Sequence, residues 1–412
     1  MVKFLKRHPM LPLIIPAALL IYFVYVALGW NLWVSVSDWE QYSLEASYGF
    51  GGFQWYNKGK TYVLENLSLS VKEGEFCVFL GPSGCGKTTA MHCIAGLLKP
   101  AKGEIYFGDE LVTAPEKGVF VQPQERNIAM VFQEYALYPN MTVRKNMSFA
   151  LKTRKTPKEE IDRRVDKMAK MLSIEQLLDR RPAELSGGQR QRVALGRAMV
   201  RDPNVFMLDE PLGNLDAKLR EQVRYELKKI QSQLGVTTIY VTHDQTEAMT
   251  MADHIILMNN GHIVQEGTPN ELYDHPCDLF AAIFLGTPKI NTFDCTVKRT
   301  EKGLVFANDQ FTFPVPEALC ACAENYVGRE LILGVRPSDL MLADEGEAAI
   351  YGMVDGMEPL GDANLVYVRV GEQIIVFKYT GERTEFHGRI GLRPIVDKLH
   401  LFDKQTQKRI ND

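Results

Sequence analysis

The chain has 412 residues, which suggests two or three domains. Hydrophobic residues make up 46% and charged residues 24%, as in globular proteins with a sizeable core. The formal net charge of −4 disfavours a nucleic-acid partner, because such proteins usually carry a basic face. The seven cysteines lack the paired spacing of a metal site and indicate reduced thiols in a cytosolic protein.

An uncharged apolar stretch near the start, residues 10–36, is long enough to span a bilayer as a helix. Trp30 and Trp33 lie near its end, where interfacial aromatic residues are common. A buried core helix and a signal peptide are the alternatives. The stretch is too long and bulky for a signal peptide and has no clear cleavage site. The sequence therefore predicts one N-terminal transmembrane helix.

From about residue 58 the pattern becomes α/β. Short apolar runs predict buried strands of a parallel sheet, with helical patterns between them. These runs are Phe76–Leu80, 128–132, 205–208 and 237–241. A helical insert is predicted to begin at Thr156-Pro157-Lys158-Glu159. In that prediction Thr156 is the N-cap, Pro157 is the first helical residue and Glu159 completes a capping box.

Beyond about residue 287 the character changes. Short β-like segments at 331–335, 364–370 and 373–377 alternate with Gly and Asp. They predict a second domain, all-β and of small-barrel type.

Residues 81–88 follow the pattern G-x-x-x-x-G-K-[ST] of a phosphate-binding loop, with an apolar strand before and a helix after. Its glycines let backbone amides turn towards phosphates, and the helix N-terminus adds partial positive charge. Lys87 can reach the β- and γ-phosphates of a nucleotide, and the Thr88 hydroxyl can ligate Mg²⁺. A plain glycine-rich turn is the alternative. The predicted ATP-binding residues are Gly81, Pro82, Ser83, Gly84, Cys85, Gly86, Lys87, Thr88 and Thr89.

A second apolar strand ends in two adjacent carboxylates, Asp209 and Glu210. Desolvating two acids is costly unless they meet a cation. Asp209 suits Mg²⁺, usually through water, and Glu210 suits a general base that orients the attacking water.

The segment Leu185-Ser186-Gly187-Gly188-Gln189 precedes a helical run. Ser186 is a natural N-cap, and the two glycines leave backbone N–H groups exposed at the helix N-terminus. This is a second predicted anion site. A simple helix cap with a flexible turn is the alternative.

The sequence LSGGQ is the signature of the ATP-binding-cassette superfamily, and the chain from about residue 58 onwards resembles it. The resemblance implies that Gln133 contacts Mg²⁺ and the attacking water, that His243 contacts the γ-phosphate, and that residues 214–216 form the D-loop. It also implies that two cassettes pack head to tail, and that each ATP lies between the phosphate loop of one and the signature of the other. The signature residues are Ser186, Gly187, Gly188 and Gln189. Because the chain shows one cassette, a second copy or a paralogue must complete each site. The implied metal-binding set is Thr88, Gln133 and Asp209.

Three short segments, 133–139, 334–337 and 399–403, resemble the carbohydrate-importer branch of that superfamily, the branch of the maltose transporter ATPase. This resemblance implies a C-terminal OB-like regulatory domain that helps the ATPases dimerise. It also implies two membrane permeases, an extracellular solute-binding protein that acts indirectly, and a plasma-membrane location with the cassette on the cytoplasmic face. The sugar is not predicted, because the binding protein and permeases choose it.

Subunits of this branch normally begin with a strand and an aromatic residue that stacks on adenine. Here that strand is hard to find, and Tyr56 and Tyr62 are the predicted adenine-stacking residues, with a loop aromatic as the alternative. Residues 1–57 instead resemble the start of a sugar-importer permease. The predicted domains are therefore the permease-like segment 1–57, the cassette 58–288 and the OB-like domain 289–412.

The charge pattern at the N-terminus conflicts with a working single span. Lys3, Lys6 and Arg7 favour a cytoplasmic N-terminus, and one span would then place the cassette outside, away from ATP. Either the helix inserts against this bias, or it does not span, or the chain joins parts of two neighbouring genes; the last is favoured.

Three functions are open at this stage. The chain is an importer ATPase, a non-transport cassette ATPase acting on ribosomes or DNA repair, or a chimera with a disturbed adenine pocket. The non-transport class usually carries two cassettes in one chain or long coiled-coil insertions, and neither is seen in the sequence.

Overall fold

The computed structural model describes residues 63–132, 135–213, 215–344, 346–381 and 385–411, together with the backbone of 55–57 and 59–61. The predicted membrane helix at 10–36 lies outside these residues. Within the described part of the chain, no helix combines the length and the apolar character needed to cross a membrane. Two compact units are formed, one by the described residues up to 65 with 92–126, the other by 66–91 with 127–411.

Strands and helices alternate along the described residues up to about residue 284, and the chain is mainly β-strand from Asn291 onwards. The strands are Trp55–Asn57 (β1), Gly59–Thr61 (β2), Phe76–Leu80 (β3), Ile105–Phe107 (β4), Glu110–Ala114 (β5), Val119–Phe120 (β6), Ile128–Val131 (β7), Val205–Asp209 (β8), Thr237–Thr242 (β9), His254–Asn259 (β10), His262–Gly267 (β11), Asn291–Thr300 (β12), Gly303–Ala307 (β13), Thr312–Pro314 (β14), Glu330–Val335 (β15), Leu340–Ala343 (β16), Ile350–Pro359 (β17), Asn364–Val370 (β18), Gln373–Tyr379 (β19), Arg389–Pro394 (β20) and His400–Asp403 (β21). The helices are Lys87–Ala95 (α1), Val143–Thr153 (α2), Lys158–Met171 (α3), Gly187–Met199 (α4), Ala217–Leu234 (α5), Gln245–Met251 (α6), Pro269–Asp274 (α7), Leu279–Phe284 (α8) and Glu317–Glu324 (α9).

A six-stranded sheet in the second unit carries the order β11-β10-β3-β9-β8-β7. The strands β10, β3, β9, β8 and β7 run parallel, and β11 is antiparallel to β10. All five residues of β3 are buried, as continuous apolar runs are in the middle of parallel sheets. The four predicted strands of this sheet are confirmed, with ends shifted by no more than one residue.

The helical insert is confirmed, but its predicted start is wrong. Helix α3 begins at Lys158, its N-cap is Pro157, and no side chain caps it. Pro157 has φ −56° and ψ 142°, so it is still extended and Thr156 lies outside the helix. Ile161, Val165 and Met168 face the core at helical spacing, which explains why the chain is helical here.

The first unit contains two small antiparallel sheets. One pairs β1 with β2, and the other has the order β4-β5-β6. Tyr56 lies on β1, for which only the backbone is described, and Tyr62 lies outside the described residues.

The predicted β region is not all-β, because helix α9 lies between β14 and β15, but it is confirmed as two five-stranded antiparallel sheets. Their orders are β14-β13-β12-β15-β21 and β16-β20-β17-β18-β19. Along β12, Phe293, Cys295 and Val297 are buried while alternate residues are more exposed, the period of a half-buried strand. The inward faces of the two sheets share one apolar core.

A buried arginine connects this β region to the end of the cassette. Arg336, which follows β15, is 2% exposed. Its guanidinium donates hydrogen bonds to the carbonyl oxygens of Leu285 (2.6 Å) and Tyr273 (2.5 Å) and lies 3.6 Å from the centroid of the Tyr273 ring. These two carbonyl oxygens fix the terminal nitrogens of the guanidinium, whereas Arg336 Nε, also buried, has no hydrogen-bond partner among the described residues.

The buried His400 on β21 is expected to lower the free energy of unfolding in acid. Burial, reinforced by the positive charges of Arg336 and Arg409, lowers its pKa from 6.5 to about 3. A lowered histidine pKa adds stability that is complete above pH 6.5 and is lost as the pH falls towards 3. Because one pKa unit corresponds to about 1.4 kcal/mol, this residue alone is expected to remove about 2 kcal/mol from the free energy of unfolding at pH 5.

The measurement is urea unfolding of the wild type and of His400→Leu at pH 7.5 and pH 5. The variant is expected to lose less stability between the two pH values, by about that amount. The same substitution at His387, whose side chain is 84% exposed, serves as control and should leave the pH dependence unchanged. Equal pH dependence in wild type and His400→Leu would show that the ring takes up a proton without unfolding.

Candidate functional site

The phosphate-binding loop lies between β3 and α1, as predicted. Gly81 is required by space, because a Cβ atom there would lie 2.2 Å from the carbonyl oxygen of Met258 on β10. Gly86 has φ 104°, in the left-handed region that glycine tolerates. Its carbonyl oxygen then accepts the amide of Ala90 at 2.9 Å, which starts α1. The sequence thus directs the chain from a buried strand into a helix whose N-terminus borders the loop.

Lys87 is held inside this loop. It is 4% exposed, and its Nζ donates to the carbonyl oxygens of Gly81 and Pro82, both at 2.8 Å. Both acceptors are neutral, so these bonds fix the ammonium group without neutralising its charge. A buried ammonium group held by neutral acceptors beside a helix N-terminus fits a polyanion such as a nucleotide phosphate.

Thr88 and Asp209 meet at the carboxyl ends of two strands. The Thr88 hydroxyl donates to Asp209 Oδ1 at 2.9 Å. Strand β9 lies between β3 and β8, and all three run parallel, so the groups that follow them reach the same edge of the sheet. A hydroxyl and a carboxylate are oxygen donors of the kind that Mg²⁺ prefers.

Glu210 and His243 meet at the same edge. Glu210 Oε1 lies 3.1 Å from His243 Nδ1, and the side chains are 24% and 54% exposed. The Glu210 amide donates to the carbonyl oxygen of Val241 at 3.0 Å, while its φ is 42°. The left-handed backbone, which costs a non-glycine residue about 1–2 kcal/mol, turns the chain immediately after β8. A carboxylate and an imidazole in contact, both open to solvent, can exchange and relay a proton.

The signature segment caps α4. The Ser186 hydroxyl accepts the Gln189 amide at 3.4 Å, and Gln189 Oε1 accepts the Ser186 amide at 2.9 Å, a complete capping box. The amides of Gly187 and Gly188, in the first turn, have no acceptor within the helix. They are therefore the groups that this segment can offer to an anion, whereas the Gln189 side chain is engaged in the cap.

Some predicted site residues lie outside the described part of the chain. Gln133 and Asn214 are among them, so the proposed metal contact of Gln133 and the D-loop remain predictions. The D-loop's Asp216 is described and caps α5 by accepting the Leu219 amide at 3.0 Å. The position of the adenine base likewise remains a prediction, because no side chain of Tyr56 or Tyr62 is described.

A buried network next to His243 was missed in the sequence. Glu247, on α6, is 4% exposed and accepts hydrogen bonds from the hydroxyl groups of Tyr240 (2.8 Å) and Thr242 (2.6 Å). Burial raises the pKa of this carboxyl group. The Thr242 hydroxyl in turn accepts the Asp244 amide at 3.0 Å. The only local signal was a glutamate in the first turn of a short helix, which is common at helix starts.

Cys85 in the loop predicts inactivation by thiol alkylation. Its thiol is free and buried, 4% exposed, with Sγ 3.8 Å from Lys87 Nζ. A bulky maleimide attached there would displace the loop, so ATP binding should be lost in proportion to modification, and ATP should slow the reaction. Nucleotide binding and intact mass, measured together, test this. Cys85→Ser should bind ATP and resist inactivation by the maleimide. The control variant Cys277→Ser should also bind ATP but should still be inactivated. Unchanged ATP binding after Cys85 is modified would exclude the loop as the phosphate site.

Three known families match successive parts of the chain. The match to the ABC transporter family covers residues 64–213. The MalK OB fold domain matches residues 286–340, and the TOBE domain matches residues 333–402. The first match includes the phosphate loop, the signature segment and Glu210, and the other two cover the two β-sheets.

Curated relatives match over most of their length. The trehalose/maltose import ATP-binding protein of Thermococcus litoralis is 51% identical over 86% of this chain and 97% of its own. The sn-glycerol-3-phosphate import ATP-binding protein of Chromobacterium violaceum is 47% identical over 84% of this chain and 91% of its own. The sulfoquinovosyl glycerol transport ATP-binding protein of Agrobacterium fabrum is 44% identical over 86% and 96%. With the site geometry and the order of its domains, this similarity shows that the chain belongs to the ABC transporter family, as an ATP-hydrolysing subunit with OB and TOBE domains after its cassette.

Proposed function

We propose that the chain hydrolyses ATP to energise import of a sugar or a related polyol derivative across the plasma membrane, with its cassette on the cytoplasmic face. The observation that carries the proposal is the convergence of Lys87, Thr88, Asp209, Glu210 and His243 at the carboxyl ends of three neighbouring parallel strands. The solute class is supported by the names of the relatives, which refer to import of trehalose and maltose, import of sn-glycerol 3-phosphate, and transport of sulfoquinovosyl glycerol.

Lys87 and the loop amides bind the phosphates of ATP in this proposal. The ammonium group of Lys87, at the start of α1, is already held inside the loop by the carbonyl oxygens of Gly81 and Pro82. Preorganised charge of this kind stabilises the charge that develops on the γ-phosphate during transfer.

Thr88, Asp209 and Gln133 would hold Mg²⁺. Within the described part of the chain, no group of three or more His, Cys, Asp and Glu side chains converges as a metal site. The few protein ligands suit Mg²⁺, which usually binds to one or two carboxylates plus phosphates and water. When bound, the ion supplies charge that offsets the negative phosphate oxygens.

Glu210 accepts a proton from the attacking water. His243 contacts the γ-phosphate and orients this water towards it. The water oxygen forms the new bond to phosphorus, the bond to the leaving ADP oxygen breaks, and the proton passes to the Glu210 carboxylate. The 3.1 Å contact between Glu210 Oε1 and His243 Nδ1 restricts the orientation of the carboxylate at the sheet edge.

A second ATPase subunit completes each site through Ser186, Gly187, Gly188 and Gln189. The amides of Gly187 and Gly188 in the first turn of α4 have no acceptor within the helix and so support a phosphate contact, and Gln189 contributes through its cap on Ser186. Two membrane permeases dock on the surface around Gln133 and the helical insert. Among the described residues that follow Gln133 in sequence, Tyr138 and Phe149 are 40% and 39% exposed and their ring centroids are 4.8 Å apart, which offers an aromatic contact for a permease. The solute-binding protein acts through those permeases.

Solute uptake in the source organism tests the proposal. Replacing Glu210 by Gln in the chromosome should abolish uptake of one radiolabelled solute from a panel of maltose, trehalose, glycerol 3-phosphate and sulfoquinovosyl glycerol. Re-expression of the wild type should restore it. Normal uptake of every solute, with the protein present at wild-type amounts, would contradict import as the function.

The N-terminal segment and the domain limits are part of the same proposal. Residues 1–57 are proposed to be a permease-derived segment with a membrane helix at 10–36, joined to a cassette of 58–288 and a regulatory domain of 289–412. Intact-mass measurement of the native protein distinguishes the possibilities. A native mass that lacks the first 50 or so residues would exclude a membrane-tethered ATPase.

A further inference from the structure

The segment that carries His243 is anchored on both sides. Before it, the Thr242 hydroxyl is bonded to Glu247 and to the Asp244 amide. After it, Gln245 Oε1 accepts the amide of Gly286 at 2.7 Å. The His243 ring itself is 54% exposed, so few packing contacts fix it. Its position therefore depends on where the backbone of residues 242–245 is held.

The partner of Gln245 belongs to a peptide group that is held at both ends. This group joins Leu285 and Gly286, directly after α8. Its N–H is bound by Gln245 of the cassette, and its carbonyl oxygen is bound by Arg336 of the β region at 2.6 Å. One planar unit thus connects Gln245, two positions from His243, to the buried guanidinium of Arg336, which lies 51 residues beyond Leu285 in the chain.

The surroundings leave this peptide little room to move. Arg336 is also bonded to the Tyr273 carbonyl oxygen and lies against the Tyr273 ring. A Cβ atom on Gly286, whose φ is 115°, would lie 2.9 Å from Arg336 Nη1. A displacement of Arg336 with the β region would therefore move the Gly286 amide, and the Gln245 carboxamide would follow or lose its hydrogen bond.

We propose that Gln245 is a positioning residue for His243, and that the Leu285–Gly286 peptide transmits the placement of the OB and TOBE region to the hydrolytic site. Through this contact the C-terminal region sets the rate of hydrolysis without touching nucleotide. The inference rests on the proposed function of His243 at the γ-phosphate.

The test compares Gln245→Met with Gln245→Glu in the full-length protein. Methionine keeps the length of the side chain but cannot accept the Gly286 amide, whereas glutamate still can. Loss of one hydrogen bond is expected to lower kcat for ATP hydrolysis roughly fivefold. KM for ATP should change little, because the phosphate loop is untouched, and Gln245→Glu should recover most of the rate. Gln222→Met, the same change on the exposed face of α5, is the matched control.

A double-mutant cycle separates positioning from general loss of structure. If Gln245 acts through His243, then Gln245→Met should have no further effect in a His243→Ala background. Thermal stability, measured for each variant, should remain within a few degrees of wild type. An unchanged kcat for Gln245→Met, or an equal loss in the His243→Ala background, would overturn the inference.

Arg336 supplies the second arm of the test. Arg336→Met should lower kcat in the same way, and combining it with Gln245→Met should give no additional loss, because both break one connection. If Arg336→Met does not fold, the Gln245 variants decide alone. A different result would show that the proposed function itself is wrong. In that case the variants His243→Ala and Glu210→Gln would hydrolyse ATP at the wild-type rate.

Discussion

Replacing Glu210 by Gln is expected to lower kcat for ATP hydrolysis by about 10²- to 10⁴-fold and to leave ATP binding intact. The amide has nearly the shape of the carboxylate but cannot take the proton of the attacking water. Glu210 lies at the end of β8, 3.1 Å from His243 and one residue beyond Asp209, so the change leaves Lys87 and Thr88 in place. The substitution is therefore expected to slow ATP hydrolysis without weakening ATP binding.

The measurement pairs steady-state hydrolysis with equilibrium binding of ATP. Glu221→Gln removes the same charge from α5 and serves as control. Its kcat should equal that of wild type, which excludes an effect of net charge alone. Undiminished hydrolysis by Glu210→Gln would remove this residue from the role of base, and loss of ATP binding would place it in substrate binding.

Replacing Gly81 by Ala is expected to lower the free energy of unfolding by about 3 kcal/mol and to abolish ATP binding. The new methyl group would lie 2.2 Å from the Met258 carbonyl oxygen and 2.9 Å from Cys85 Sγ. The carbonyl belongs to β10, which is hydrogen-bonded to β3, so it cannot retreat without opening the sheet. The loop must move instead, and Lys87 moves with it.

Gly84→Ala is the matched variant in the same loop. Gly84 has φ 81°, but among the described residues its new methyl group would meet no atom within 4 Å beyond its chain neighbours. Only the backbone penalty of about 1–2 kcal/mol therefore applies. Thermal or urea unfolding of both variants without nucleotide compares the two. Equal destabilisation would show that β10 yields to the methyl group and that contact at Gly81 does not fix the loop.

The strands and the phosphate loop could be predicted because their signals are local. A buried parallel strand needs a continuous apolar run, and β3 is such a run between two glycines. The start of α3 could not be fixed in the same way. The φ of proline suits both a helix and an extended chain, and only ψ, which the fold determines, shows that Pro157 precedes the helix.

The connection through Gly286 could not be predicted for a different reason. Gln245 and Gly286 are 41 residues apart, and Leu285 and Arg336 are 51 apart. Neither separation leaves a pattern in the sequence, because a hydrogen bond to a backbone amide requires no particular side chain on the partner. The arrangement of the two β-sheets could not be predicted for the same reason. Strand β21 pairs with β15, although all five strands of the other sheet lie between them in the sequence.

The left-handed backbone of Glu210 has a consequence for how this protein evolves. At φ 42° glycine would sit without strain, so the residue proposed for chemistry is also one at which the native fold is less stable than it could be. If Glu210 has the proposed role, a library screened for heat resistance alone is expected to accumulate substitutions here that abolish hydrolysis. Selection that also demands transport is then needed to retain the acid, and thermostable variants have to gain their stability at other positions.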